Sequence, residues 1–244
     1  MPTDPILVHT KRVAFELSNI CNMGYAHPQC PASLVKPEDR RVLPSAVVYT
    51  VLDSLGAMEF KGYVAFYGYS EPLVDPRLVS MIQYATRACP GCKPSVTTNG
   101  FMLTQTMLDD LAAAGLCHAR VSAYGTQEYK RLCGLKPPFA EFKVRLRGGT
   151  AWKHRIDDYD REPNPHKAPC FCPLIDIQIN CKGQIRICCA DYQNRHIFGD
   201  LATETFEAIL RSGKMQAVYS ELTKGIRKAH LCRRCGIQRH WKGV

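Results

Sequence analysis

The 244-residue sequence contains no run approaching the ~18–20 apolar residues that a helix needs to cross a bilayer. Its first ten residues hold no basic stretch leading into an apolar one, so no secretory signal is expected. No five consecutive residues are Lys or Arg, although the net charge is +10. A nucleic-acid tail is therefore not indicated, and the scattered excess reads as a basic surface or as an attractant for anionic small molecules. Internal repeats and low-complexity tracts are also absent, which removes solenoids and disordered linkers. The default expectation is a soluble cytoplasmic protein with one sizeable core, or with a main domain and a small annex.

Cysteine, by contrast, is abundant. There are thirteen, and seven of them follow residue 169. In a reducing compartment, clustered cysteines bind metal more often than they form disulfides. The C-terminal third is thus a candidate metal site before any motif is considered.

Strands and helices alternate over the first two-thirds. Residues 13–18 read as a strand that ends in a cysteine-bearing loop. Pro44 and Ser45 open a helix with Val47, Val48, Val51, Leu52 and Leu55 at helical spacing. Residues 62–67, 94–98, 119–122 and 142–146 read as further strands. Helices starting near Pro76, Met107 and Gln127 separate them, and Gly115 terminates the middle one. Such alternation implies a parallel sheet covered by helices, with ligands at the C-terminal strand ends. Five strands suggest a partial (β/α) barrel rather than a closed one. Residues 148–170 form a polar, turn-rich connection. Beyond it, 174–179 and 184–187 read as a β-hairpin turning at Lys182-Gly183, and Thr203 or Thr205 caps a helix through Phe206, Ile209 and Leu210. Cys117 and Cys133 read as core residues. Cys181 reads as a strand residue. Cys89-Pro90-Gly91-Cys92 has the spacing of a redox motif but sits in a helix-to-strand loop without a thioredoxin-like surround, and reads as a plain loop.

Four segments carry a resemblance. Glu16-Leu17-Ser18-Asn19-Ile20-Cys21-Asn22 resembles the opening of the cluster loop of radical S-adenosylmethionine (SAM) enzymes, whose pattern is Cys-x3-Cys-x2-Cys. Gly68-Tyr69-Ser70-Glu71-Pro72 is similar to the family's Gly-Gly-Glu-Pro segment. Thr98-Asn99-Gly100 looks like the family's turn after the third strand, and Arg120-Val121-Ser122 resembles the next strand. The resemblance implies a TIM-like partial barrel over residues 1–150 that holds a SAM-binding 4Fe–4S cluster. Three protein ligands would leave one iron open to SAM. It also implies SAM contacts from Gly68, Tyr69, Ser70, Glu71, Thr98, Asn99 and Ser122, and from Arg145 to the SAM carboxylate.

The cluster loop departs from the family pattern. Tyr25 and Pro28 occupy the expected second and third ligand positions. The available ligands are then Cys21, His27 and Cys30, with Tyr25 an alternative to His27. A zinc site on Cys21, His27 and Cys30 is a rival.

Further along, Cys172, Cys188, and the Cys232-x2-Cys235 pair resemble SPASM/twitch domains, with Cys188-Cys189-Ala190-Asp191 and Gly199-Asp200-Leu201 in support. That resemblance implies a small hairpin-plus-helix domain over residues 170–244 that binds a second, auxiliary 4Fe–4S cluster. Cys170 is an alternative to Cys172, and Cys189 to Cys188.

The function so implied is reductive cleavage of SAM to a 5′-deoxyadenosyl radical that abstracts hydrogen from a substrate. Oxidation or epimerisation of a small sugar- or cyclitol-like molecule ranks first. Peptide maturation is the alternative, and a non-catalytic iron–sulfur electron carrier or binding protein a third. An anionic substrate and a flavodoxin- or ferredoxin-type donor would be the partners; nucleic acid ranks last. No catalytic side chain is assigned beyond the cluster.

Overall fold

The computed structural model describes residues 5–24, 30–147 and 168–235. Eight strands form one open sheet in the order β5-β4-β3-β2-β1-β6-β7-β8. They are β1 (Arg12–Phe15), β2 (Tyr63–Phe66), β3 (Lys93–Thr98), β4 (His118–Ala123), β5 (Glu141–Leu146), β6 (Asp176–Ile179), β7 (Gln184–Arg186) and β8 (Ile197–Asp200). From β5 across to β6 every pairing is parallel; β6-β7 and β7-β8 are antiparallel. The sheet is mixed α/β and does not close, in keeping with a partial barrel.

The connections explain the parallel part. After a short helix α1 (Pro5–His9) come α2 (Ser45–Ala57), α3 (Leu78–Ala88), α4 (Gln105–Ala113) and α5 (Thr126–Cys133). Each of α2, α3 and α4 returns the chain to the start of a new parallel strand. Helix α2 buries Val48, Val51, Leu52 and Leu55, each side chain stabilising by roughly 1.5–3 kcal/mol. Against these pack Val13, Phe15, Val64 and Phe66 from the strands. The Thr104 hydroxyl caps α4 by accepting from the Met107 N–H. Gly115, at φ +107°, ends that turn where a Cβ would strike Thr86.

Strand alternation sends the other half of the side chains to the opposite face. That inner face is polar: Arg12, Tyr67, Thr97, Arg120, Ser122 and Asp176 line open space rather than a packed core. This offset sets the site.

Some details differ from the sequence expectations: Cys181 lies in the turn after β6 rather than in a strand, and Cys117 is half-buried rather than in the core. Residues 174–179 do not make one strand. Pro173 begins a single helical turn α6 (Cys172–Ile175), and Thr10 Oγ1 donates to the Leu174 carbonyl (3.0 Å) before β6 starts at Asp176. Cys133 is exposed at the end of α5 rather than in the core. In the C-terminal part, Thr205 caps α7 (Phe206–Leu210) and Ser212 caps α8 (Gly213–Thr223). Helix α9 (His230–Arg234) carries Cys232. The hairpin β6–β8 extends the main sheet, with Val13 in register with Ile177.

Candidate active site

The loop after β1 brings Cys21 to the C-terminal strand ends. The Cys21 sulfur accepts from the Met23 N–H (3.4 Å) and lies 3.9 Å from Asn99 Nδ2. Cys30 sits just before a 3-10 turn (Pro31–Leu34) and is close enough to Cys21 to act on it electrostatically. Burial, foremost, pushes the Cys21 thiol up, with the Met23 N–H opposing and the Glu71 carboxylate adding to the rise. Both cysteines line one cavity of about 290 Å³. His27 and Tyr25 lie outside the described residues.

The 68–71 and 98–100 segments are joined at Glu71, which is 2% exposed. Its Oε1 accepts from Thr98 Oγ1 (2.6 Å) and the Leu73 N–H (3.0 Å); its Oε2 accepts from the Asn99 N–H (2.7 Å). Burial raises the Glu71 carboxyl, and these donors pull it back. Asn99 Nδ2 donates in turn to Asn22 Oδ1 (2.7 Å) in the cysteine loop. One carboxylate thus locks three loops together around the cavity. Gly100, at φ +74°, makes the turn possible. Gly68 is required for a different reason: a Cβ there would stand 2.6–2.7 Å from Glu16 side-chain atoms.

Tyr69 and Ser70 replace the two glycines of the Gly-Gly-Glu-Pro pattern, Tyr69 standing at the first. The Tyr69 N–H donates to Glu16 Oε1, and its hydroxyl donates to the Cys189 carbonyl. Arg186, 1% exposed by side chain, pairs with Glu16 Oε2 (3.2 Å) and lies 5.5 Å from the Tyr69 ring centroid. Opposite, Arg12 Nη2 pairs with Asp176 Oδ2 (3.2 Å), which also accepts from the Tyr67 hydroxyl (2.9 Å).

Of the residues singled out in the sequence, Cys21, Cys30, Gly68, Tyr69, Ser70, Glu71, Thr98, Asn99 and Ser122 all border this cavity. Arg145 does not. It registers with Ser122 but sits on the edge strand β5, exposed. Arg147, two residues on, lines the cavity instead and donates from Nε to Ser122 Oγ (3.3 Å). Arg12, Arg120, Arg147, Arg186, Tyr67 and Asp176 were not assigned from the sequence. The signal available was period-2 spacing: Arg120 is two residues from Ser122.

The second cysteine group surrounds a separate apolar hollow lined by Cys170, Cys172, Cys188, Cys189, Cys232 and Cys235. Burial first, then its cysteine neighbours, raises the Cys188 thiol well above its usual range. The same causes push Cys232 up to about 12. Six sulfurs around one hollow, with Cys188 and Cys232 desolvated, suit a cationic metal–sulfur group that would favour the thiolate form. Among the described residues, no three His, Cys, Asp or Glu side chains converge at the spacing of a single metal ion. Cys181, at the turn beyond β6, lies outside this hollow. Cys189 lines both the hollow and the main cavity.

Residues 170–236 match the SPASM family, an iron-sulfur cluster-binding domain. Across 238 residues, and 91% of each chain, the sequence is 23% identical to the S-adenosyl-L-methionine-dependent 2-deoxy-scyllo-inosamine dehydrogenase of Niallia circulans. The crystal structure of BtrN in complex with AdoMet and 2-DOIA superposes with a TM-score of 0.81, at 21% identity, over 94% of each chain. Native anSMEcpe with bound AdoMet and the Cp18Cys peptide is more distant, with a TM-score of 0.56, 13% identity, and coverage of 92% and 86%.

Proposed function

We propose that the chain is a radical SAM enzyme with a C-terminal SPASM-type cluster domain, and that it oxidises a small sugar- or cyclitol-like substrate. The observation that carries this reading is the shared wall at Cys189. The cavity bounded by Cys21 and Cys30 on one side reaches the second cysteine group on the other. A substrate held there lies between a group that removes a hydrogen atom and one able to accept the remaining electron, as an oxidation requires. The curated relative similar over nearly its whole length is a dehydrogenase of an amino-cyclitol.

In this reading, residues 1–150 form the partial barrel and 170–244 the auxiliary domain. Cys21, Cys30 and His27 would hold the first 4Fe–4S cluster; Cys172, Cys188, Cys232 and Cys235 would hold the second. The first cluster, with SAM, would supply the chemistry for taking a hydrogen atom from a C–H bond, and the second would offer a one-electron acceptor. The protein's own residues do the positioning. Glu71 fixes the Thr98-Asn99-Gly100 turn under the cluster loop. Gly68 to Ser70 and Ser122 give polar edges to SAM. Tyr69, Glu16 and Arg186 brace the wall toward the second cluster. A flavodoxin- or ferredoxin-type protein in the cytoplasm supplies the reducing electron. No described helix is long and apolar enough to cross a membrane.

The test is anaerobic. The reconstituted protein is assayed for iron and sulfide, then given a strong reductant and SAM. About eight irons per chain and 5′-deoxyadenosine are expected, with release stimulated by a cyclitol or sugar substrate. Cys21→Ala or Cys30→Ala should abolish SAM cleavage; cleavage surviving in both would defeat the first-cluster assignment. Stimulation by a peptide instead would favour peptide maturation; the more distant fold neighbour was crystallised with a bound peptide.

A further inference from the structure

Arg120 is a half-buried guanidinium on the inner face of β4, and it forms no hydrogen bond or ion pair with any described residue. Its Nε is fully shielded from solvent. Burial, foremost, and then the cationic Arg12, Arg145 and Arg147 lower its affinity for its proton, with Tyr67 opposing. A shielded, unpaired guanidinium facing like charges costs stability unless a ligand supplies the counter-charge.

The surroundings show where that counter-charge would come from. Arg120 lines the main cavity and also a second hollow nearer the N-terminal strand ends; both share Arg12, Thr97 and Asp176. That second hollow, where Lys11, Glu141 and Lys143 are exposed, has four cationic side chains, Lys11, Arg12, Arg120 and Lys143, against two carboxylates, Glu141 and Asp176. Asp176 is already taken by Arg12 and Tyr67. Glu141 accepts from the Tyr63 hydroxyl. His118 is kept neutral by burial, with the Glu141 carboxylate opposing. Among the described lining residues the formal excess is two positive charges.

From this placement we infer that the substrate carries a phosphoryl group and that Arg120 binds it. The inference rests on the small-molecule reading above and names the substrate class for the same site. A phosphomonoester brings about −1.5 to −2 charge at neutral pH, matching the excess; a carboxylate brings half of that. The guanidinium fork fits phosphoryl oxygens with two parallel N–H donors. The depth fits as well. Arg120 lies two residues below Ser122, ~7 Å along the strand. A six-membered ring with its reacting carbon at the cluster end would place a substituent from its far side at Arg120.

The experiment uses the cluster-loaded chain with SAM present, titrated by calorimetry at constant ionic strength. The probes are inorganic phosphate, glucose 6-phosphate, glucuronate and glucose. The wild type should bind both phosphate probes more tightly than glucuronate, and should bind glucose weakest. Arg120→Gln should weaken the phosphate probes by about ten- to a hundredfold while SAM affinity stays within twofold. Arg120→Lys, which keeps the charge and loses the fork, should fall between. Equal binding of glucose and its phosphate, tighter binding of glucuronate, or phosphate affinity unaltered in Arg120→Gln would each overturn the inference. So would a loss of SAM affinity in that variant, because Arg120 would then serve the SAM carboxylate. Failure of the wild type to bind SAM would defeat the parent reading separately, and the phosphate titrations would still be read.

Discussion

The Tyr69 hydroxyl donates to the Cys189 carbonyl, joining the loop after β2 to the second cysteine group 120 residues further along the chain. The same residue's N–H is held by Glu16 at the end of β1. One tyrosine thereby ties the proposed SAM loop to the wall of the proposed auxiliary cluster. Tyr69→Phe keeps the ring against Arg186 and removes only the hydroxyl. The expected cost is about 0.5–1.5 kcal/mol of stability. The midpoint potential of the second cluster should also shift, because a hydrogen bond beside its ligands is lost. Melting curves and a redox titration of the holoenzyme read both effects. An unchanged potential would leave Tyr69 with a packing role only.

Gly68→Ala tests the close approach to Glu16. A Cβ at 2.6–2.7 Å from that side chain forces Glu16 or the loop to move, at about 1–3 kcal/mol. Because Glu16 also holds Arg186, the disturbance should spread to the cavity wall. SAM affinity is expected to fall at least tenfold in equilibrium binding. Wild-type affinity would show that the loop accommodates the methyl group.

Replacing Cys232 and Cys235 together should lower iron from about eight to about four per chain and destabilise the C-terminal helices against proteolysis. Full iron content in the double variant would refute the auxiliary site. Single Cys188→Ser and Cys189→Ser variants then decide between the two adjacent thiols, since the ligand's loss costs iron and the other's does not.

His118 gives a pH signature. Burial foremost lowers it below its ordinary 6.5, with Glu141 opposing. The unfolded chain therefore binds more protons than the folded one as pH falls below about 6.5. The stability it permits is full above that value and is lost as pH drops toward the folded-state pKa. His118→Asn should flatten the decline in melting temperature between pH 7 and 5. An identical slope in wild type and variant would assign the decline to other groups.

His27→Ala addresses the third ligand of the first cluster. A ligand's loss should change the low-field electron paramagnetic resonance signal of that cluster, and His27→Cys should restore a cluster signal of altered shape. A wild-type spectrum in His27→Ala would shift the assignment to Tyr25 or to an open position.

The alternation of strands and helices was legible because each element carries its own period, 2 or 3.6, within a short window. Local chemistry also marked Cys21, Glu71, Asn99-Gly100 and the Cys232-Cys235 pair, each a short pattern with its ligand or turn residues in sequence. What the chain alone could not express was the register of distant strands. Arg12 meets Asp176 across 164 positions only because β1 takes β6 as its second parallel neighbour. Arg145 is the register partner of Ser122 yet stays exposed on the edge strand β5, whereas Arg147, two residues on, donates to Ser122 Oγ and lines the cavity. The convergence of Arg12, Arg120, Arg147 and Arg186 on one polar face has the same origin. The sequence determines which residues share a face of each strand; only the order and register of the strands decide which faces meet, and so where the charge accumulates.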